Sequence, residues 1–189
     1  MSDDSLTETT VESKVFFQGK ILNLRVDTVR LPSGRVAVRE IAEHSNSICV
    51  VPVDEAGNVL LVRQYRKPAE AVLLEVPAGG VEEGEVSEET VQRELQEEIG
   101  YRAGKLQHLS SFWLAPGWCT EFMHAYLATD LTPATLDADD DENILVERVP
   151  LERALELIAS GEIEDVKSIA ALLLAVRLLR DNEEEFANQ

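Results

Sequence analysis

The chain has 189 residues, 44% of them hydrophobic, and its 36 acidic and 17 basic side chains give a net charge of −19. This length and apolar content predict one globular domain with a small appendage. The acidic balance argues against nucleic acids and anionic membranes as partners, because both bind basic patches. No apolar run reaches the ~20 residues that cross a bilayer, and the polar N-terminus has no signal-peptide pattern, so we expect a cytoplasmic protein.

Residues 1–14 are acidic, rich in Ser and Thr and without periodicity, which predicts a disordered tail. Polar and apolar residues alternate over 21–30 and 35–42 around a Leu-Pro-Ser-Gly turn, so residues 15–44 are predicted to form a small antiparallel β subdomain. A hairpin of this size needs a second surface to dock on, either the rest of the chain or another subunit.

The main domain is predicted over residues 45–180, with a C-terminal tail over 181–189. Two apolar runs, 47–53 and 58–66, flank an Asp-Glu-Ala-Gly turn and predict a second hairpin in a central sheet. Later strands are predicted over 106–113, 121–128 and 144–149, and helices over 151–160 and 168–180. Strands with helices interspersed irregularly predict an α/β sandwich with a mixed sheet.

A glycine turn between these strands opens into a helix crowded with glutamates. Glu94, Glu97 and Glu98 share one helix face at about 100° per residue, and like charges at this spacing destabilise a helix by roughly 0.2–0.5 kcal/mol per pair. The alternative is a solvated acidic face. Because hard divalent cations take oxygen ligands, and Mg²⁺ is held by carboxylates together with substrate phosphates, we favour a metal and phosphate site.

The order of residues around these glutamates is specific. It fits the spacing G-x5-E-x7-R-E-U-x-E-E-x-G-U, in which U is a bulky apolar residue, at Gly79, Glu85, Arg93, Glu94, Leu95, Glu97, Glu98, Gly100 and Tyr101. This segment resembles the Nudix box, although Tyr101 stands where that family usually has an aliphatic residue. The resemblance implies a Nudix-type α/β/α sandwich with a mixed β-sheet, and a divalent-metal-dependent pyrophosphohydrolase that uses Mg²⁺ or Mn²⁺.

Within the box, Gly79 and its neighbour allow backbone conformations closed to other residues, so the carbonyl of Ala78 can turn toward a metal ion. Glu85 and Arg93 are expected to pair and brace the loop, and Arg93 is also a candidate catalytic residue. The predicted metal ligands are Ala78, Glu94, Glu97, Glu98 and Glu142.

Glu142 belongs to an acidic run over 137–142. In the ADP-ribose pyrophosphatase-like branch of the family, a similar loop brings a carboxylate to the metal ions, and Glu142 aligns best with it. A loop carboxylate suits a general base because the loop can close on bound substrate. Asp140 and Glu97 stay open as alternatives for this base.

Other segments resemble the substrate contacts of the same branch. Arg66 matches an arginine that binds the diphosphate, and Arg63 is the second choice, since the guanidinium fork suits phosphate oxygens. A Pro-Gly turn and a nearby glutamate provide the candidates Pro116, Gly117, Trp118 and Glu121. Trp118 departs from the family, which more often has a smaller aromatic residue or glycine there, and either stacks on a base or caps the core.

The resemblance also implies a homodimer in which N-terminal strands cross over to the partner's active site. Phe16, Phe17 and Arg39 lie where such strands would offer stacking and a cation to the nucleotide. The predicted reaction is hydrolysis of the pyrophosphate bond of a nucleoside diphosphate sugar, with ADP-ribose, split to AMP and ribose 5-phosphate, as the leading substrate. GDP-mannose or another nucleotide sugar is the alternative within this reaction class. A non-catalytic Nudix-fold regulator is the alternative outside it, although the complete set of box glutamates argues against it.

Overall fold

The computed structural model describes residues 5–136 and 143–187. Two compact units form, one from the chain up to Asn46 with Trp113–Phe122, the other from Ser47–Phe112 and the chain from Met123 onward. The strands are β1 (Thr9–Gln18), β2 (Leu22–Arg30), β3 (Val36–His44), β4 (Ser47–Pro52), β5 (Asn58–Arg66), β6 (Ala71–Glu75), β7 (Ala78–Gly80), β8 (Tyr101–Trp113), β9 (Phe122–Pro133) and β10 (Leu145–Pro150). The helices are α1 (Ser87–Glu98), α2 (Leu151–Ser160) and α3 (Val166–Ala187).

The first unit contains an antiparallel sheet in the order β1-β2-β3. The predicted hairpin is confirmed: Gly34, at φ 81°, donates its N–H to the Leu31 carbonyl at 2.8 Å. The disordered tail predicted over residues 1–14 was wrong from Thr9 onward, because β1 begins there and pairs along β2. All residues of β1 are exposed, so backbone pairing holds this strand and its sequence shows no burial pattern.

The second unit contains two sheets, in the orders β7-β4-β9-β8 and β10-β5-β6. Strand β4 pairs parallel with β9 and antiparallel with β7, so the first of these sheets is mixed, as predicted. The second hairpin was wrong in its pairing. Its turn forms, with Gly57 at φ 78°, but β4 and β5 enter different sheets. Beyond the end of β4, a bridge between Val53 and Val59 links the two segments.

Strand β4 is buried along its whole length. Its residues Ile48 and Val50 belong to the same apolar cluster as Val91 and Leu95 of α1. The residues between them point to the other face of the sheet, because side chains alternate along a strand, and α3 also contacts β4. Helices therefore cover both faces, which confirms the α/β/α sandwich with a mixed sheet and a small antiparallel N-terminal sheet.

The later helices are close to their predicted positions. Helix α2 has the predicted bounds, and Gly161 ends it in the left-handed conformation at φ 79°. Helix α3 continues to Ala187, beyond the predicted end at residue 180. Within the described ranges, no helix is both long and apolar enough to cross a membrane.

Candidate active site

The glutamate helix α1 lies directly against the glycine strand β7. A Cβ added to Gly79 would lie 1.8 Å from Glu94 Oε1 and 2.1 Å from its Cδ. Glu94 is only 8% exposed, so its carboxylate fills the space that any other side chain at position 79 would occupy. The glycine of the sequence motif is therefore required by close approach of the carboxylate to the backbone.

Arg93 joins the helix to the turn that precedes it. Its Nε donates to Glu85 Oε1 at 3.1 Å, and its Nη2 donates to Glu85 Oε2 at 3.2 Å and to the Gly80 carbonyl at 3.1 Å. Its Nη1 donates to Glu94 Oε1 at 2.7 Å and to Glu97 Oε2 at 3.0 Å. The predicted pairing of Arg93 with Glu85 is confirmed.

These five bonds use all five N–H groups of the Arg93 guanidinium. Hydrogen bonds from Arg93 lower the pKa of Glu85 to about 2. Burial opposes the charge of Arg93, but Glu85, Glu94 and Glu97 together raise its pKa well above the ordinary value. The protein itself therefore engages every N–H group of this guanidinium, and the candidate catalytic role of Arg93 stays a prediction.

Glu98 faces the same strand from one turn further along the helix. It is 5% exposed, and its Oε2 accepts the N–H of Ala78 at 3.1 Å. Glu94 and Glu98 are thus like charges one turn apart and shielded from water, an arrangement that positive charge nearby stabilises. Buried carboxylate oxygens beside a glycine backbone are a donor set that suits a hard divalent cation.

Within residues 5–136 and 143–187, no three His, Cys, Asp or Glu side chains converge in a metal-binding arrangement. The ligand set of Ala78, Glu94, Glu97 and Glu98 therefore stays a prediction. Glu142 and Asp140 lie outside the described residues.

Arg66 and Arg63 both lie on β5 and both form ion pairs. Arg63 Nε donates to Glu147 Oε2 at 2.6 Å. Arg66 donates from Nε and Nη2 to the two oxygens of Glu75, at 3.0 and 2.8 Å, and its other three N–H groups have no hydrogen-bond partner among the described residues. The hydrogen bond to Glu75 raises the pKa of Arg66, and the charge of Glu98 acts in the same direction. Arg66 therefore interacts electrostatically with one of the buried glutamates of α1.

A cavity of about 400 Å³ lies within the first unit. It is lined by the predicted substrate residues Arg39, Pro116, Gly117 and Trp118, together with Glu8, Arg25, Ile41, Trp113, Cys119 and Thr120. Two other predicted residues, Phe17 and Glu121, are not among the described residues that line it.

Sequence reasoning missed the contribution of Arg25 and Trp113 to this cavity. Arg39 forms an ion pair with Glu8, with Nε 3.0 Å from Oε2, and Arg25 donates to Glu43 at 2.7 Å. The register of β2 and β3 pairs Arg25 with Ile41 and Asp27 with Arg39. Alignment of these two strands across their turn would have predicted that Arg25 lies near Arg39 and therefore near the cavity.

Comparisons with known proteins match almost the whole chain. The profile of the NUDIX domain family matches residues 43–172, and that of the nucleoside diphosphate sugar hydrolase N-terminal domain matches residues 8–41. The chain is 40% identical to an ADP-ribose pyrophosphatase of Bacillus subtilis over 170 residues, which cover 89% of this chain and 92% of the relative.

Two further similarities extend this result. The chain is 36% identical to a methanol dehydrogenase activator of Bacillus methanolicus over 167 residues, which cover 87% of this chain and 90% of the relative. Its fold matches the crystal structure of an ADP compounds hydrolase with a TM-score of 0.86 at 24% identity, covering 94% of this chain and 97% of the other.

Proposed function

The chain belongs to the Nudix family of pyrophosphohydrolases, and we propose that it hydrolyses the pyrophosphate bond of ADP-ribose to give AMP and ribose 5-phosphate. One observation carries the proposal: the buried carboxylates of Glu94 and Glu98 lie against β7, with Glu94 in the space of the missing Gly79 side chain. The similarity of the chain to an ADP-ribose pyrophosphatase supports the choice of substrate.

We propose that Glu94, Glu97, Glu98 and the Ala78 carbonyl hold the divalent metal ion on which Nudix enzymes generally depend, with Mg²⁺ or Mn²⁺ in this position. Such an ion, when bound, neutralises the diphosphate and polarises it toward attack on phosphorus. Arg93 fixes the side chains of Glu94 and Glu97 through bonds of 2.7 and 3.0 Å, so that the helix face has one arrangement before substrate arrives.

We propose that Arg66 binds the substrate diphosphate, with Arg63 as the second choice. Arg66 is 38% exposed at its side chain and retains three N–H groups without hydrogen-bond partners among the described residues. A guanidinium binds phosphate oxygens through two parallel N–H bonds, which an ammonium cannot do. After the larger effect of the hydrogen bond to Glu75, the charge of Glu98 also raises the pKa of Arg66, and this link to a box glutamate supports the choice.

We propose Glu142 as the general base that takes the proton from the attacking water. Glu97, the alternative, has its carboxylate engaged by Arg93 at 3.0 Å. If Glu142 is the base, Glu142→Gln lowers kcat with little change in KM, because a proton acceptor acts only in the transition state. Asp140→Asn serves as the matched control and should have the smaller effect. The reverse ranking would assign the base to Asp140, and two mild effects would assign it to Glu97.

The cavity of the first unit offers groups that suit a nucleotide base. Trp118 is 61% exposed, so its ring is available to stack on a base, and Arg39 supplies a cation. Phe17 on β1 and Glu121 complete the proposed substrate contacts, although neither lines the cavity in one chain.

We also propose a homodimer that forms through the sheet of the first unit. Strand β1 is an edge strand, and unpaired edges invite pairing with another chain. Large apolar side chains on β1 and β3 are exposed, namely Val11, Val15, Phe16, Phe17, Val36 and Val38. Exposed apolar side chains mark an interaction site, and a second copy of the same chain suits this one because β1 forms an edge of the sheet, whereas β3 pairs at Ala42 with Cys119 of the same unit. The predicted cytoplasmic location stays a prediction.

Turnover across a substrate panel tests the proposed function. ADP-ribose, GDP-mannose, UDP-glucose, a dinucleoside polyphosphate and a nucleoside triphosphate are each incubated with the protein and Mg²⁺, then Mn²⁺, and products are separated by chromatography. We expect the highest kcat/KM for ADP-ribose, with AMP and ribose 5-phosphate in equal amounts. A higher kcat/KM for GDP-mannose would identify the alternative substrate. Hydrolysis of none of them would refute the proposal and favour a regulator.

A further inference from the structure

A cluster of four charged side chains includes Arg66, the arginine assigned to the diphosphate. We call Arg66, Glu75, Asp165 and Lys167 the Glu75 cluster. Lys167 Nζ lies 2.5 Å from Glu75 Oε2 and 2.9 Å from Asp165 Oδ2, and Arg66 binds both oxygens of Glu75. Two positive and two negative charges therefore balance within the cluster. Neither Glu75 nor Lys167 belongs to the Nudix-box pattern.

The Glu75 cluster is largely withdrawn from water. Glu75 is 1% exposed and Lys167 is 9% exposed. Burial opposes ionisation of Glu75, but hydrogen bonding from Arg66 and the charge of Lys167 outweigh it and lower its pKa. Buried ion pairs are often no more stabilising than apolar residues of the same volume, so stability alone does not account for placing four charges here.

Glu75 binds Arg66 through one edge of the guanidinium. It accepts from Nε and Nη2, which together form the side-on edge of the group. Among the described residues, Nη1 has no hydrogen-bond partner, and Nη2 keeps a second N–H. These two nitrogens form the end-on fork of the guanidinium, whose parallel donors match two oxygens of a phosphate.

The same cluster also fixes the segment that leads into β7. Asp165 Oδ2 accepts the N–H of Ser168 at 3.0 Å and its Oγ–H at 2.6 Å. Ser168 Oγ in turn accepts the N–H of Val76 at 2.9 Å. The start of α3 therefore fixes the backbone at Val76, the residue that follows Glu75. Because this backbone is fixed, the Glu75 carboxylate has a defined position from which it orients Arg66.

We propose that Glu75 is a positioning residue that presents the end-on fork of Arg66 to the substrate diphosphate. Lys167 holds Oε2 of Glu75 in place from the buried side and supplies the charge that keeps this carboxylate compatible with its burial. The inference rests on the proposed function, because it requires Arg66 to bind the diphosphate of a nucleotide sugar.

A double-mutant cycle on the full-length protein tests the inference. The value of kcat/KM for ADP-ribose is measured at saturating Mg²⁺ for the wild type, Glu75→Gln, Arg66→Ala and the double variant. We expect Glu75→Gln to lower kcat/KM by about ten- to a hundred-fold in the wild-type background, as expected for loss of a charge-assisted bond. In the Arg66→Ala background the same change should alter kcat/KM by less than about two-fold, because residues that act through one another are non-additive.

Equal effects of Glu75→Gln in both backgrounds would overturn the inference, since they would show a general structural role. Glu70→Gln is the matched control: it makes the same chemical change in an exposed ion pair, with Lys67 at 2.8 Å, and should leave kcat/KM unchanged. If Glu75→Gln does not fold because Lys167 loses its partner, the cycle is repeated with Glu75→Gln combined with Lys167→Met, which removes one charge of each sign.

The outcomes separate this inference from the function on which it rests. A wild type that hydrolyses no nucleotide sugar refutes the proposed function. An active wild type with an unaffected Arg66→Ala variant leaves the reaction standing but overturns the role of Glu75. An active wild type with non-additive Glu75 and Arg66 variants supports both.

Discussion

Replacement of Gly79 by alanine tests whether the position of the Glu94 carboxylate controls catalysis. A Cβ at residue 79 would lie 1.8 Å from Glu94 Oε1, whereas ordinary contact with a Cβ begins near 3.4 Å. The carboxylate must therefore retreat by about 1.6 Å, the difference of these two distances, or the backbone of β7 must move. Either movement disturbs the 2.7 Å bond between Glu94 and Arg93.

The expected loss of activity is large. Misplacement of a catalytic group by about 1 Å can cost about a hundred-fold in rate, so kcat/KM for ADP-ribose should fall by at least about 10², or about 2.7 kcal/mol of transition-state stabilisation. The loss of stability is limited to about 1.5–3 kcal/mol, typical of one charge-assisted bond. Arg93 keeps its bonds to Glu85 and Glu97, so the variant should fold.

Gly104→Ala is the matched control for Gly79→Ala. Gly104 lies on β8 in the same unit, and a Cβ there would lie 3.0 Å from the Cβ of Asp130, which is also a crowded contact. We expect Gly104→Ala to lower the melting temperature while kcat/KM stays near the wild-type value. A Gly79→Ala enzyme with kcat/KM within about three-fold of wild type would show that the position of Glu94 has no catalytic importance.

Three further predictions concern single side chains. Glu98→Gln keeps the shape of the side chain that accepts from Ala78 but removes its charge, so turnover should fall at least about a hundred-fold if it is a cation ligand; near-wild-type turnover at saturating Mg²⁺ would exclude Glu98 from the site. Arg93→Met should lower the melting temperature more at pH 7 than at pH 3. Arg93 lowers the pKa of Glu85 from its ordinary 4.5 to about 2, so this stabilisation is present above pH 4.5 and lost as the pH falls toward 2, and a difference independent of pH would contradict the pairing. Trp118→Ala should raise KM for ADP-ribose about ten-fold or more at unchanged kcat, because stacking on a base contributes about 1–3 kcal/mol; an unchanged KM would indicate that the ring only caps the core.

The parts of the fold that sequence predicted well have local causes. The bounds of β5 and α2 follow from apolar periodicity and from turn residues such as Gly161, all within a few positions of each other. The contact of Arg93 with Glu85 was predictable for the same reason, since eight positions separate the two residues and the helix carries Arg93 back over the turn.

The parts that sequence missed depend on distant partners. Strand β1 has no buried face, so only its pairing with β2 defines it. The separation of β4 from β5 depends on β9, which pairs with β4 although the aligned residues Ser47 and Met123 lie far apart in the chain. In the Glu75 cluster, Glu75 and Lys167 are separated by 92 positions. No motif in the sequence around either residue predicts that the two form an ion pair.

The two arginines of the site show how the fold decides between structure and function for one residue type. Arg93 gives all five N–H groups to the protein, so it fixes carboxylates and has no donor to offer. Arg66 gives two N–H groups to one carboxylate and keeps a fork that matches phosphate. The resemblance to the Nudix family predicted different roles for the two arginines, but it did not predict how many N–H groups the protein itself would engage in each. The number of N–H groups that bind protein acceptors therefore distinguishes an arginine that positions other side chains from one that can bind a substrate.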